Sequence, residues 1–379
     1  MDNKSDNTDK NKSGKLSALI TALLSVFGLI AALLIALIVI VGVSAFRTPE
    51  KGDDEIYAAL SNTYKYNAVE LHDDVRNVYA SAFVYEVAEN EMYLFTNYHV
   101  TGDDVSSLCA RFYGRNSYEK AGNLELVGYD PYYDIALLKT ASFPENPYVD
   151  IRAKGAAKAS MGERILCLGN NLGYGIQAQN GIISTQSLVT NPQRKTNDSA
   201  PYTVAVIGAC APLNSGNSGA AVYDMEGGLI GMNTWRVTTN SAGDAVCDTC
   251  YLTPASVLTA MYDVLVGCEQ SGLVDFPTLT LSAGEYGTMY IQALHTEIKF
   301  VDFRLKVTRI DSTGTRLLSE GDEITAVGER KVEPCDFVSI VGELYKYNTW
   351  GKGDKLTLTV LRGGEEIKLT FDELGRIKA

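Results

Sequence analysis

Histidine is the scarcest residue able to do acid–base chemistry in this chain: three among 379 residues, at His72, His99 and His295. Three scattered imidazoles do not build a multi-histidine zinc centre, and a catalytic histidine can be sought almost by elimination. Basic charge is short as well, with 33 Lys+Arg against 46 Asp+Glu and a net charge of −13. Nucleic-acid affinity comes mainly from clustered Lys and Arg, so a phosphate-reading surface is excluded. The cysteines are Cys109, Cys167, Cys210, Cys247, Cys250, Cys268 and Cys335, an odd set without regular spacing and no disulfide framework. Cys247 and Cys250 form the one close pair; with no second pair or histidine nearby they read as a local disulfide or two free thiols, not a zinc site. Cys167, inside Ile165-Leu166-Cys167-Leu168, reads as a buried apolar residue. No glycine-rich phosphate loop, metal motif or redox fingerprint stands out, which leaves chemistry without a cofactor.

What the sequence does hold is apolar residues, 46% of the chain, enough for more than one folded domain. Leu16 to Phe46 is a run of 31 residues without a charge. A bilayer core needs only about 20 apolar residues in a helix. Val43-Ser44-Ala45 offers a small-residue cleavage pattern, but signal-peptide cores run to only about 7–15 residues, which favours a retained anchor. Four lysines (Lys4, Lys10, Lys12 and Lys15) precede the run, whereas Arg47 and Lys51 follow it. That asymmetry puts residues 1–15 in the cytoplasm, a transmembrane helix at 16–46, and everything later outside. Residues 47–66 are polar and read as a linker.

From 67 to 267 short apolar runs alternate with turn residues, the pattern of an antiparallel double β-barrel rather than of βαβ units. The runs are Ala82 to Tyr85, Met92 to Val100, Ile135 to Lys139, Arg164 to Leu168, Ile182-Ile183, Tyr202 to Ile207, Ala220 to Tyr223 and Leu229 to Met232. A helix is predicted over Pro254–Val266, with Thr253 as N-cap and Val257, Leu258, Met261, Val264 and Leu265 as its apolar stripe. Residues 276–379 read as a separate α+β unit. Its expected elements are strands at Ile298 to Val307, Glu323 to Val327, Lys355 to Leu361 and Glu366 to Phe371, and a helix from about Cys335 to Tyr347. Gly363-Gly364 marks a hairpin turn.

Chemistry concentrates in three strings of the β body. Leu94-Phe95-Thr96-Asn97-Tyr98-His99-Val100 delivers a histidine at the end of an apolar strand. Asp134 stands just before the strand Ile135-Ala136-Leu137-Leu138. Leu213-Asn214-Ser215-Gly216-Asn217-Ser218-Gly219 sets a serine in a small-residue loop that leads into another strand. A serine hydroxyl is a weak nucleophile until a neighbouring base takes its proton. Imidazole can be that base, and a carboxylate on its other nitrogen fixes the tautomer. Singly, each string is ordinary; together, in the order His, Asp, Ser, they compose a nucleophile, a base and its orienter. His72 stands in a polar stretch and is expected to be solvated, and His295 lies outside the β body, so neither competes with His99.

These strings resemble the HtrA/Deg family of trypsin-like serine proteases. Further agreement comes from Gly162-Glu163-Arg164, Leu168-Gly169-Asn170, Gly181-Ile182-Ile183-Ser184 and Leu229-Ile230-Gly231-Met232-Asn233-Thr234. The resemblance implies a mainly β chain: an N-terminal transmembrane helix, a double β-barrel trypsin-like protease domain and a C-terminal α+β PDZ-like domain. It makes Ser218 the nucleophile, His99 the general base and Asp134 its orienting carboxylate. The N–H groups of Gly216 and Ser218, helped by Asn217, become the oxyanion hole. Leu213, Met232, Asn233 and Thr234 then line the S1 pocket, with no acid placed to receive Lys or Arg, so a small or medium aliphatic P1 side chain is expected. In the PDZ-like unit Met289, Tyr290 and Ile291 become the carboxylate-binding loop, flanked by the helix from 335; Tyr290 and Phe337 fit plain core positions equally well.

Family members cut misfolded or regulatory proteins outside the cytoplasm, often as trimers, and can switch the loop before the nucleophile between open and collapsed forms. The expected setting is thus a bacterial cell membrane, with the protease and PDZ-like domains extracytoplasmic, protein or peptide substrates and no nucleic acid. A rival reading keeps the architecture but makes the chain an inactive anchored scaffold that binds unfolded chains or C-termini. Two departures bear on rate. The residue after Ser218-Gly219 is Ala220 where the family has glycine, and Ala80-Ser81-Ala82 replaces Gly-Ser-Gly. Each adds a Cβ close to the expected active site, to crowd it or to demand small backbone adjustments, and neither removes a catalytic group.

Overall fold

Alternating side-chain direction along β-strands decides how this molecule is layered. The structure, a computed structural model, describes residues 19, 21–35, 52–114, 124–131, 133–190, 204–239, 242–267, 279–280, 288–291, 294–302, 304–312, 314, 316–333, 337–347 and 355–371. Two units are formed, Met1–Glu55 and Ile56–Ala379. In the first, residues 21–35 are helical with exposed apolar side chains such as Leu24 and Phe27. No helix among the described residues is long and apolar enough to cross a membrane. The rest of the 16–46 run lies outside the described residues, as do Cys268 and Cys335.

The expected linker contains helix α1, Asp53–Tyr64. Three acidic residues in its first turn, Asp53, Asp54 and Glu55, complement the partial positive charge of a helix N-terminus. Its last residue, Tyr64, is buried: the ring lies 4.3 Å from that of Tyr223 and the hydroxyl donates to the Gly227 carbonyl. Tyr57 and Leu60 pack on the same core, half-buried, and the Tyr57 hydroxyl donates to the Ile165 carbonyl at 3.4 Å, so the β body begins with a helix docked along one side.

The first sheet has strands β1 (Ala68–Asp73), β2 (Val78–Ala88), β3 (Glu91–Thr96), β4 (Leu108–Phe112), β5 (Glu125–Asp130) and β6 (Ile135–Ala141). Their order is β4-β1-β2-β3-β6-β5, all antiparallel. Along β2 the side chains divide by parity. Ala80, Ala82 and Val84 join the sheet's own core with Val69, Leu71, Leu94 and Leu108, while Phe83 and Tyr85 face a second, larger core. The second core reaches into a closed barrel, in the order β10-β11-β12-β9-β8-β7. Its strands are β7 (Arg164–Asn170), β8 (Ile176–Thr190), β9 (Val204–Cys210), β10 (Ala221–Tyr223), β11 (Leu229–Thr239) and β12 (Ala245–Pro254). Short helices α2 (Tyr98–Thr101) and α3 (Ile151–Lys154) join strands of the body.

Helix α4 runs over Ala255–Gly267, one residue later than expected, because Thr253 and Pro254 remain in β12. Thr253 is not its cap: the hydroxyl donates to the Tyr133 carbonyl and pairs with Thr234 Oγ1. Val257, Leu258, Met261 and Leu265 are buried as the stripe requires, joined by Tyr262. Both thiols of the 247/250 pair are free: Cys247 is exposed, whereas Cys250 is buried and its thiol is pushed up to about 12 by burial.

The C-terminal part has β13 (Leu279–Thr280), β14 (Thr288–Ile291), β15 (Thr296–Val301), β16 (Arg304–Ile310), β17 (Glu323–Val327), β18 (Arg330–Lys331), helix α5 (Phe337–Tyr347), β19 (Leu356–Arg362) and β20 (Glu365–Phe371). The single strand expected at 298–307 is a hairpin of β15 and β16, turning near Asp302, which has positive φ (51°). Gly363 and Gly364 both have positive φ (60° and 91°), the geometry a two-residue hairpin turn of this kind requires. Met289, Tyr290 and Ile291 belong to strand β14, not to a loop, and at Tyr290 and Ile291 that strand is paired on both edges, by β13 and β15. Helix α5 does not flank an open groove along its whole length. Its Gly342 packs on Ser256 of α4 so closely that an added Cβ would sit 2.6 Å from the Ser256 Cβ. The Val338 N–H donates to Ser187 Oγ of β8 at 3.3 Å, and Ser256 Oγ donates to the Val338 carbonyl at 3.3 Å.

Candidate active site

The apolar strand β3 ends at Thr96, and His99 follows on the single turn α2 rather than on the strand itself. The turn is held by its neighbours. Asn97, fully buried, donates from Nδ2 to the Asp134 carbonyl (2.9 Å) and to Thr234 Oγ1 (3.1 Å). Tyr98 N–H adds a second donor to the Asp134 carbonyl at 3.2 Å. Those two bonds oppose the strain at Asp134, which sits at φ 55°, a region non-glycine residues enter at a cost.

The other end of α2 is braced by a charge cluster. Arg76 donates from Nη1 to the Thr101 carbonyl at 2.7 Å and from Nε to Asp73 Oδ2. Asp73 also accepts from the Val75 and Arg76 N–H groups and from the Ser107 hydroxyl. Burial opposes the Asp73 charge, but the Arg76 N–H, the Ser107 hydroxyl and the Arg76 guanidinium outweigh it and hold the carboxyl down at about 2, from an ordinary 3.8. A depressed folded-state pKa contributes stability that is fully present above the unfolded value and is lost as pH falls through the folded one. Thermal unfolding between about pH 4 and pH 2 is therefore expected to lose more Tm in the parent than in Asp73→Asn, which lacks this titration.

Asp134 is buried and His99 is exposed at its edge. One carboxylate oxygen, Oδ2, lies 2.6 Å from His99 Nδ1; the other, Oδ1, accepts the His99 backbone N–H at 2.8 Å. An ionised carboxylate only accepts, so Nδ1 carries the proton and Nε2 is left as the basic nitrogen. This arrangement selects the tautomer that a general base needs.

The Ser218 loop docks against the same strands. Ser218 O accepts the Ser81 N–H at 2.8 Å. At Gly219 (φ 85°) an added Cβ would meet the Ser81 carbonyl at 2.1 Å and Thr96 Oγ1 at 2.5 Å, so only glycine fits between Ser218 and the end of β3. Among the described residues Ser218 Oγ makes no hydrogen bond to His99; such bonds are often long in unliganded sites and tighten with substrate bound. The N–H groups of Gly216 and Ser218 have no protein acceptor among the described residues, whereas the Asn217 N–H is taken by the Asn214 carbonyl at 3.2 Å. Two of the three expected oxyanion-hole residues thus present backbone N–H groups without a protein acceptor among the described residues, whereas Asn217 is engaged at its N–H and at Nδ2, which donates to Asn171 Oδ1 at 3.1 Å.

Of the expected S1 residues, Leu213, Met232, Asn233 and Thr234 are all buried. Asn233 and Thr234 are engaged in holding the site: Asn233 Nδ2 donates to the Asn217 carbonyl (3.1 Å), its carbonyl accepts the Gly219 N–H (2.9 Å), and Thr234 Oγ1 accepts from Asn97. The expected crowding does not arise. Ala80 and Ala82 point into the core of the first sheet, away from the nucleophile. The Ala220 methyl occupies the space beside Gly169, where a Cβ would lie 2.7 Å from it. His72 is not solvated as expected: it stacks on Tyr79 with ring centroids 4.5 Å apart and pairs with Asp74. Glu163, Asp224 and Glu226 are the one group of three possible metal ligands among the described residues; Asp224 Oδ1 already accepts the turn N–H groups of Glu226 and Gly228.

Sequence reasoning passed over Asn97, Thr234 as an anchor, and Ser81. Asn97 stood inside the histidine string, but the roles of the others depend on which strand face meets the loop.

Residues 80–232 match the family described as trypsin-like peptidase domain. The chain is 25% identical over 344 residues to the serine protease Do-like HtrA of Lactobacillus helveticus, covering 85% of this chain and 75% of that one. It is 26% identical over 296 residues to the protein of the same description from Lactococcus lactis subsp. cremoris, covering 75% of this chain and 68% of that one. Against the periplasmic serine endoprotease DegP of Escherichia coli it is 23% identical over 280 residues, spanning 74% of this chain but about half, 54%, of that relative. Among solved structures, the HtrA-type protease AlgW with tripeptide matches at 22% identity and a TM-score of 0.48, covering 83% of this chain and 96% of that one.

Proposed function

We infer that this chain, a trypsin-like serine endopeptidase of the HtrA type, cuts protein substrates by acyl transfer through Ser218, His99 and Asp134. The observation that carries this reading is the bidentate grip of Asp134 on His99, beside a serine loop in which the Gly216 and Ser218 N–H groups have no protein acceptor among the described residues. In this reading His99 Nε2 takes the Ser218 proton as Oγ attacks the scissile carbonyl. The Gly216 and Ser218 N–H groups then stabilise the oxyanion in a site where fixed donors need not reorganise. Imidazolium next returns the proton to the leaving amine, and water repeats the cycle on the acyl-enzyme. Each half of the cycle is an addition followed by collapse of the tetrahedral intermediate: the scissile C–N bond breaks as the amine leaves, and later the acyl C–O bond breaks as Ser218 Oγ regains its proton from the imidazolium.

The reading extends to anchoring by the 16–46 run, with the peptidase outside the cytoplasm; the 31-residue uncharged stretch and the lysines before it support this. It also assigns residues 276–379 to a PDZ-like role in substrate binding or activation. Two contacts support such coupling: α5 touches Ser187 on β8, and β8 pairs with β9, which leads directly into the nucleophile loop. The expected result is hydrolysis of an unfolded protein such as β-casein by the full chain and none by Ser218→Ala. Cleavage sites mapped by mass spectrometry are expected after small or medium aliphatic residues. Preferential cleavage after Lys or Arg contradicts the S1 assignment, and equal hydrolysis by both proteins contradicts the enzyme.

A further inference from the structure

We propose that the Ser81 hydroxyl is a positioning residue that keeps the oxyanion loop in its donor-presenting form, an inference that rests on the peptidase reading above. The loop itself has little to hold it, being Asn214-Ser215-Gly216-Asn217 with its side chains short or absent. Its peptide planes are fixed from outside. In a trans peptide the C=O and the following N–H point to opposite sides. The Ser215 carbonyl accepts the Leu172 N–H at 2.8 Å, which turns the Gly216 N–H the other way, to the side free of protein acceptors. The Gly216 carbonyl accepts the Ser81 hydroxyl at 2.7 Å, which turns the Asn217 N–H to the Asn214 carbonyl.

Gly216 is the weak point between these two planes. Its φ is 96°, and the Asn170 carbonyl comes so close that a Cβ would sit 2.0 Å from it, so only glycine can stand here. Glycine visits positive and negative φ about equally, so the residue itself does not resist rotation of the plane that carries its N–H. Resistance must come from the groups that grip each side.

Ser81 is suited to that task because its hydroxyl has no alternative. A serine hydroxyl has one donor and two lone pairs. In Ser81 the oxygen accepts the Asn170 N–H at 2.8 Å, the donor goes to Gly216, and the residue is fully buried, out of reach of water. Parity along β2 explains the placement: neighbours 80 and 82 face the first sheet's core, so 81 faces the second barrel and meets the loop. The same residue's N–H holds the Ser218 carbonyl. One strand position thus grips the loop at the carbonyl of Gly216, on the far side of the residue that bears the oxyanion donor, and at the carbonyl of Ser218, and only the first grip depends on the side chain.

The test uses the full chain with Ser81→Ala and, nearly isosteric but a weak donor, Ser81→Cys. Readouts are kcat and KM on a peptide substrate, the pH profile, and the affinity of a peptidyl boronate, whose tetrahedral adduct places an oxygen in the hole. Removing one oxyanion donor outright costs about 10²–10³ in kcat, and loosening one is expected to cost about tenfold or more. In Ser81→Ala boronate affinity is expected to fall by a similar factor, with KM within about twofold and the pH midpoint unmoved because His99 and Asp134 are untouched. A folded variant with unchanged kcat, or a loss confined to KM with boronate affinity intact, overturns the proposal. So does failure of both variants to fold, which would give Ser81 a purely architectural role. An inactive parent overturns the peptidase reading instead, so the two failures are distinguishable.

Discussion

Ser218→Ala is expected to remove on the order of 10⁶ from kcat, the scale seen when a serine nucleophile is deleted. Binding should survive, because the groups that would contact substrate lie elsewhere on the loop and on β11. The fold should survive too. Ser218 is held by its backbone, through the carbonyl bonded to Ser81, and among the described residues its hydroxyl makes no hydrogen bond. Thermal unfolding of the variant should therefore match the parent while peptide turnover disappears. A loss confined to a few-fold would mean that another group attacks the carbonyl. No such group is offered by His72, stacked on Tyr79, or by Cys167, whose thiol burial pushes far above its ordinary value.

The second large effect concerns Asp134. Asp134→Asn is expected to lower kcat by about 10⁴ with little change in KM, because it selects the wrong imidazole tautomer. The geometry here specifies why. Oδ1 accepts the His99 backbone N–H, and a carboxamide satisfies that donor only by placing its oxygen there. Its NH₂ then faces Nδ1 in place of Oδ2 and must donate to it. With Nδ1 an acceptor, Nε2 carries the proton and cannot take one from Ser218. Asp134→Ala, which imposes no tautomer, is expected to lose less than the asparagine variant on this account. The comparison of the two, in kcat at fixed pH, separates tautomer control from charge alone.

The chemistry-bearing residues were the most legible part of the sequence because each sits in a distinctive local string: His99 after an apolar strand, Asp134 before one, Ser218 between small residues. Strands β6, β7 and β9 were legible as nearly continuous apolar runs, buried on both faces, whereas β1, β4, β5 and β12 lie outside the runs read from the sequence. Effects that act across the fold were not legible. Ala220 reads as a crowding Cβ until β7 and β10 are seen to pair, which sets Gly169 beside it. Ala80 and Ala82 read the same way until their parity is fixed by the strand face. Helix α1 was hidden because it is short and follows a polar, acidic stretch, and its docking through Tyr57, Leu60 and Tyr64 depends on which strands it meets. The hairpin at Asp302 carries no glycine or asparagine signal, and Met289 to Ile291 lack the neighbours that would mark them as a strand with both edges paired. The contacts of Ser81 and Leu172 with the oxyanion loop involve backbone groups, which every sequence has and none displays.

Mass spectrometry of the intact full chain after exposure to a fluorophosphonate tests the central assignment most directly. The triad predicts a single adduct, mapped to Ser218, absent in Ser218→Ala and formed far more slowly in His99→Ala. An adduct that persists in Ser218→Ala, or a chain that hydrolyses peptides while remaining unlabelled, would contradict it.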